Sequence, residues 1–291
     1  MRLAVRDTTL VNDARLSDPI AHTIPGLTAV FSHLSNARLR KRLARARLTL
    51  RTPFPMLLDK VGLMRRPYKV SWHNGVRVEL RPGVHGERYV FYEVFMKSAY
   101  FSAGQHLRPG DTVIDVGANV GFFSIQAASL VGPTGCVIAL EPQPDTFAQL
   151  QRNIAVSGMR NIRPRQVAVT DQKGAGRLFF GDTPIYSSLF PSVDDQPRDA
   201  HSQEVLTTTL VDIMRDEGLD RCHYLKLDCE GGEYAICGSL SPELARRIDQ
   251  ITMEVHQIPG KDPSELKRSL TGAGFRFRAQ DKLYSFDRRM S

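Results

Sequence analysis

The chain has 291 residues, 42% of them hydrophobic and 24% charged, the balance of a folded globular protein with core enough to need no disulfide or metal staple. That composition excludes a disordered or fibrous chain. No apolar run is long enough for a spanning helix, and the first thirty residues scatter their charges, so a cytoplasmic protein is expected, neither secreted nor integral to a membrane. The formal net charge is +8, yet residues 38–66 hold ten Lys or Arg against one acid, Asp59. That segment alone is +9 and the rest of the chain −1, so the excess belongs to one stretch and is no general attraction to nucleic acid. The four cysteines, Cys136, Cys222, Cys229 and Cys237, form no C-x-x-C pair, as expected of reduced thiols.

In chain order, residues 34–50 read first as a basic amphipathic helix. Leu39, Leu43, Ala46 and Leu50 recur at helical spacing and arginines fill the opposite face. Thr52, Pro53 and Pro55 then stop it. Such a helix can lie on an anionic membrane surface such as the inner membrane face, bind a protein partner, grip RNA, or dock its leucines on the main domain. Residues 1–66 are therefore expected to be a basic N-terminal helical extension and residues 67–291 the main domain.

A strand is predicted over 76–80 and an aromatic-rich helix over 87–107. From residue 112 strands and helices alternate, which predicts a mostly parallel sheet with helices on both faces. Strands are expected at 112–116, 136–140, 165–169, 177–180, 205–208, 224–227 and 251–255. Helices are expected at 121–130, 145–155, 211–217 and 263–272, and an antiparallel hairpin at 275–286 closes the chain. Between the strands at 177–180 and 205–208, residues 181–202 carry Asp182, Pro184, Tyr186, Ser187, Ser188, Pro191, Asp194, Asp195 and Pro197, the content of a long loop suited to a lid or clamp.

The informative stretch is Val113-Ile-Asp-Val-Gly-Ala-Asn-Val-Gly121, an apolar strand running into a glycine turn and a helix. Gly117 and Gly121 let the backbone turn sharply and approach a ligand. Their G-x-x-x-G spacing differs from the G-x-G-x-x-G of dinucleotide sites, which ranks an NAD(P)-dependent oxidoreductase low. Asp115, two residues before the first glycine, is placed to face the ammonium of an amino-acid-bearing cofactor. Asn119 lies in the turn, and Asp115 and Asn119 can alternatively cap the helix. Glu141, twenty residues after Gly121, closes the next strand, where a carboxylate can accept both hydroxyls of a ribose.

Two further clusters end later strands. Asp228, Glu230 and Glu233 follow one, and Glu254 with His256 ends the next. In doubly wound sheets such ends face the same crevice as Asp115 and Glu141. Asp228, His256 and Glu230 are the candidate catalytic groups there, able to take or give a proton. His256 suits base work through its near-neutral reference pKa, against the alternative of a hydrogen-bonded strand-end histidine. Asp228, Glu230, Glu254 and His256 also form a candidate Mg2+ site, with Asp228, Glu254 and His256 as its nucleus. Lys226 reads as a salt-bridge partner and Glu233 as the start of a helix.

The Asp-x-Gly-x-x-x-Gly pattern resembles class I S-adenosylmethionine-dependent methyltransferases. Asp115 to Ser124, Glu141-Pro142, Ser187-Ser188-Leu189, Leu225-Lys-Leu-Asp-Cys-Glu-Gly-Gly-Glu233 and Met253-Glu-Val-His256 together resemble the FkbM-type family. The resemblance covers about residues 76–260. It implies a Rossmann-like sheet of seven strands, S-adenosylmethionine as cofactor, and O-methylation of a hydroxyl on a sugar, glycolipid or natural product. The alternatives are a ribose or cap methyltransferase of RNA and a non-catalytic adaptor acting through the basic helix. Base methylation of nucleic acid is disfavoured because Asp228-Cys-Glu-Gly replaces the Asn/Asp-Pro-Pro-aromatic motif.

Overall fold

The computed structural model describes residues 53–72, 74–84, 86–97, 99–101, 106–180, 187–188, 202–280 and 283–288. All of them lie in one compact unit, Ala46–Ser291. The amphipathic helix expected at 34–50 lies outside the described residues, as does all of the 181–202 loop except Ser187, Ser188 and Ser202.

The first described element is a helix, α1 (Pro53–Lys60), with Pro53 and Pro55 in its opening turn, where a missing N–H costs no hydrogen bond. Met56 packs on the core, and the buried Asp59 accepts a 2.8 Å hydrogen bond from the Tyr68 hydroxyl. Tyr68 opens β1 (Tyr68–Ser71), which pairs antiparallel with β2 (Arg77–Leu80). The helix expected over 87–107 is broken into α2 (Glu87–Phe91), a π-helical turn (Tyr92–Met96) and a 3-10 turn (Ala99–Phe101). Phe91, Phe95 and Trp72 cluster on Phe122 below, so the aromatics that bury do so as core.

A sheet of seven strands follows. Its members are β3 (Thr112–Val116), β4 (Cys136–Leu140), β5 (Ile162–Arg165), β10 (Tyr224–Leu227), β11 (Gln250–Glu254), β12 (Arg276–Gln280) and β13 (Leu283–Asp287), in the order β12-β13-β11-β10-β3-β4-β5. Five of these run parallel in succession, and β13 pairs antiparallel with both β11 and β12 as the expected closing hairpin. β3, β4 and β10 are nearly or wholly buried along their length, as strands covered on both faces must be. The covering helices are α3 (Phe122–Val131), α4 (Pro144–Ser157), α5 (Leu210–Asp216), α6 (Glu233–Gly238), α7 (Pro242–Arg246) and α8 (Pro263–Gly272).

One expected strand divides. Pro164 has no N–H to donate, so β5 ends the large sheet as its edge, and the chain then enters a second sheet at β6 (Ala168–Thr170). That four-stranded sheet, ordered β6-β9-β7-β8, includes β7 (Gly174–Phe180), β8 (Ser187–Ser188) and β9 (Ser202–Thr209). The strands expected at 177–180 and 205–208 therefore stand outside the central sheet. The burial of β9, interrupted by exposed positions, suits a sheet with one wet face.

Candidate active site

From β3 the chain winds outward through β4 to β5, then returns to β10 on the other side of β3. Strand order reverses between β3 and β10, and a ligand crevice forms beyond the carboxyl ends at such a point. The two strands are in register, with Asp115 beside Lys226 and Val116 beside Leu227. Just past them the backbones nearly touch. A Cβ on Gly117, at φ +74°, would lie 1.8 Å from the carbonyl oxygen of Asp228. Only glycine admits that approach. The turn is then tied down by the N–H groups of Gly117 and Ala118, which both donate to the Leu140 carbonyl at 3.0 and 2.9 Å.

An 860 Å³ cavity opens over this point, lined among others by Gly117, Asn119, Glu141, Asp228, Glu230, Glu254 and His256. One wall holds Glu141. Its carboxylate accepts the N–H of Asn119 through Oε2 and of Gln143 through Oε1, each at 2.9 Å. Asn119 takes a left-handed backbone, φ +52°, to point its amide there. Burial lifts the Glu141 carboxyl to about 7 against the two amide bonds and the charge of Lys226, which lower it.

The opposite wall is acidic and carries one imidazole. Asp228 lies just beyond β10, and its Oδ2 accepts the Tyr100 hydroxyl at 2.9 Å and faces Lys226 Nζ at 3.4 Å. Burial pushes the Asp228 carboxyl up, but Lys226, His256 and the Tyr100 bond outweigh it and hold the group below its ordinary value. Glu230 also has a left-handed backbone, φ +50°, which turns it back toward β11 with its Oε2 3.4 Å from His256 Nε2. Burial raises its carboxyl to about 7.

His256 Nδ1 lies 3.1 Å from Oε1 of Glu233, a fully buried carboxylate that also accepts the N–H groups of Cys229 and Gly231 at 3.0 and 2.9 Å. Glu233 thus shapes the 228–232 turn and fixes the imidazole. Burial pulls the His256 pKa down, yet Glu233, Glu230 and Asp228 together raise it to about 9. The expected base is therefore held between two carboxylates that favour its protonated form.

The remaining expected residues sort by depth. Asp115 does not face the cavity. It is completely buried, accepts the Ser124 hydroxyl at 2.5 Å and pairs with Lys226 at 3.1 Å, so its contacts lie within the protein. Gly121, at φ +88°, opens α3, and a Cβ there would strike Leu150 Cδ1 at 2.4 Å. Neither Asp115 nor Asn119 supplies a side-chain cap for α3. Asp228, Glu254 and His256 each bring one ligand atom within 4.8 Å of the others. Ser187 and Ser188 pair with Phe180 and Phe179 as β8, and Leu189 lies outside the described residues.

Tyr100 and Lys226 were not among the expected site residues, yet both line the cavity. Their one signal was chemical, since a buried phenol or ammonium must find a partner.

A family model described as the methyltransferase FkbM domain matches residues 115–277. The chain is 30% identical over 225 residues to 31-O-demethyl-FK506 methyltransferase FkbM of Streptomyces tacrolimicus, covering 68% of this chain and 85% of that protein. It is 24% identical over 215 residues to methyltransferase sdnD of Sordaria araneosa, covering 65% and 82%. Among solved structures, fibrillarin of Aeropyrum pernix aligns at 15% identity with a TM-score of 0.41, covering 76% of this chain and 93% of that one. A glycine turn closed onto a neighbouring strand, a carboxylate at the end of β4 and a family match spanning both place this chain in the FkbM family of S-adenosylmethionine-dependent methyltransferases.

Proposed function

We propose that this methyltransferase transfers the methyl group to oxygen, on a hydroxyl of a sugar, glycolipid or natural product. The observation that carries the reading is that Asp228, Glu230, Glu254 and His256 share one cavity with the cofactor cradle at Gly117, Asn119 and Glu141. In this reading the methyl donor and the proton acceptor share a single space. The relative from Streptomyces is named for the acceptor 31-O-demethyl-FK506, which supports an oxygen acceptor on a natural product.

S-adenosylmethionine supplies an electrophilic methyl on a sulfonium. Gly117 lets the turn close on β10, and Glu141 would hold the ribose hydroxyls with the lone pairs left after its two amide bonds. On the other wall Glu230 accepts the hydrogen bond of the acceptor hydroxyl, while the ionised Asp228 binds a neighbouring polar group of the acceptor and helps align the oxygen for in-line attack. Glu230 takes the proton as the C–O bond forms, a task suited to a carboxyl held near 7. His256, as a cation between Glu230 and Glu233, offsets the negative charge that gathers there.

A magnesium ion fits the expected set poorly, since both ring nitrogens of His256 face carboxylates and Mg2+ prefers oxygen ligands. The steps above are therefore routed through side chains alone.

Turnover with S-adenosylmethionine over a panel of sugars, glycolipids and polyketides tests the reading. Mass spectrometry should find a product 14 Da heavier that is resistant to base, as an ether is. Methyl ester or N-methyl product, or transfer only to RNA, would contradict it.

A further inference from the structure

Lys226 is buried to 3% exposure, and its ammonium is the hub of the cavity floor. It donates to the Gly117 carbonyl at 2.8 Å and lies 3.1 Å from Asp115 and 3.4 Å from Asp228. The rings of Tyr100 and Phe123 flank it, with centroids 5.3 and 5.7 Å away. A lone salt bridge would need one carboxylate. Here one cation answers two, leaving the group of three with a net charge of −1 directly beneath the point where the glycine turn and Asp228 meet.

That charge matters because the donor is a cation and its product is not. Methyl transfer abolishes the positive charge on sulfur, so negative charge beside it stabilises the ground state more than the transition state and slows the step. With Asp115 and Asp228 unopposed, the floor would hold the sulfonium too well. With no net charge it would lose its preference for the donor over the spent product.

We propose that Lys226 is a positioning residue that sets the charge of the cavity floor and thereby the preference of the site for the sulfonium over the thioether. The proposal rests on the cavity being the donor site. Asp115 is its counterweight, which accounts for a buried acid two residues before the glycine turn that does not line the cavity. Lys226 touches no reacting atom in this scheme and acts through the two carboxylates.

The test is the ratio of dissociation constants for S-adenosylhomocysteine and S-adenosylmethionine, measured by calorimetry on the full-length protein without acceptor. Lys226→Met should raise the ratio, favouring the cation, and Asp115→Asn should lower it, each by roughly tenfold for a unit charge in a partly screened site. A purely structural role would weaken both ligands together and leave the ratio unmoved. Removing one partner of a buried pair is costly, so where Lys226→Met fails to fold, Asp115→Asn decides alone. A ratio within twofold of wild type in Asp115→Asn overturns the proposal. Wild-type protein that binds neither ligand overturns the donor-site assignment itself, a different result from an unshifted ratio.

Discussion

Single residues carry the division of labour in the cavity, and the sequence revealed some of it. Glu141 could be found because its distance from the glycine turn is fixed by one helix and one strand. Its pKa could not, because that depends on enclosure by residues far apart in sequence. Since burial lifts the carboxyl to about 7, ribose binding should strengthen as pH rises from 6 to 8 and the group ionises. Glu141→Gln should flatten that profile and weaken S-adenosylhomocysteine binding by tenfold or more, as read by titration at several pH values; an unchanged profile would remove Glu141 from the ribose site. His256 was visible as a candidate but its raised pKa was not, because Glu233, the first of the residues that raise it, looked from the sequence like the start of a helix. The ion pair of Asp115 was hidden for the same reason, its partner Lys226 lying on a strand more than a hundred residues away. Gly117 makes the sharpest steric case. With φ at +74° and a Cβ placed 1.8 Å from a carbonyl oxygen, Gly117→Ala must separate β3 from β10. It should lower stability by about 2–4 kcal/mol and abolish cofactor binding, checked by denaturant unfolding and titration.

At the scale of elements, patterns that depend on local period were legible and those that depend on partners were not. β3, β4, β10 and α8 lie where the periodicity places them, residue for residue, because continuous burial and a proline-led helix start are local signals. The aromatic run from residue 87 gave one long helix on paper and three short pieces in the fold. There the Tyr224 hydroxyl, shared between the Tyr100 carbonyl and Thr252, pins the 3-10 turn to the sheet, and Tyr100 reaches Asp228 as a result. The same limit hid the second sheet, whose strands have the alternation of any half-buried pair. α1 is held to the rest by Asp59, which accepts the Tyr68 hydroxyl and lies 3.0 Å from Arg88. Asp59→Ala leaves a buried phenol without its acceptor and should cost about 1–3 kcal/mol in chemical unfolding. No loss would show that this contact does not hold α1 to the sheet.

Over the whole molecule, the basic excess is confined to residues 38–66, while the unit that binds the cofactor is close to neutral outside that stretch. Among the described residues no helix is long and apolar enough to cross a membrane. The site groups also give the fold a pH dependence of definite sign. Glu141 and Glu230 bind a proton more tightly folded than unfolded, so the stability they add below about 4.5 is lost as pH rises through about 7. His256 adds stability below about 6.5 that is lost as pH rises through about 9. Asp228, held low, changes only in acid and does not oppose them. The ligand-free protein should therefore melt at a lower temperature at pH 9 than at pH 6, and a flat or rising profile in differential scanning calorimetry would contradict these assignments.

The central claim is that one cavity has two walls with separate tasks, donor binding at Glu141 and proton removal at Glu230. Calorimetric titration of S-adenosylhomocysteine into wild type, Glu141→Ala and Glu230→Gln tests it most directly. The account predicts saturable binding to wild type, at least tenfold weaker binding to Glu141→Ala, and binding within threefold of wild type for Glu230→Gln, whose turnover falls by about a hundredfold or more. Equal loss of affinity in both variants, or no binding to wild type, would contradict it.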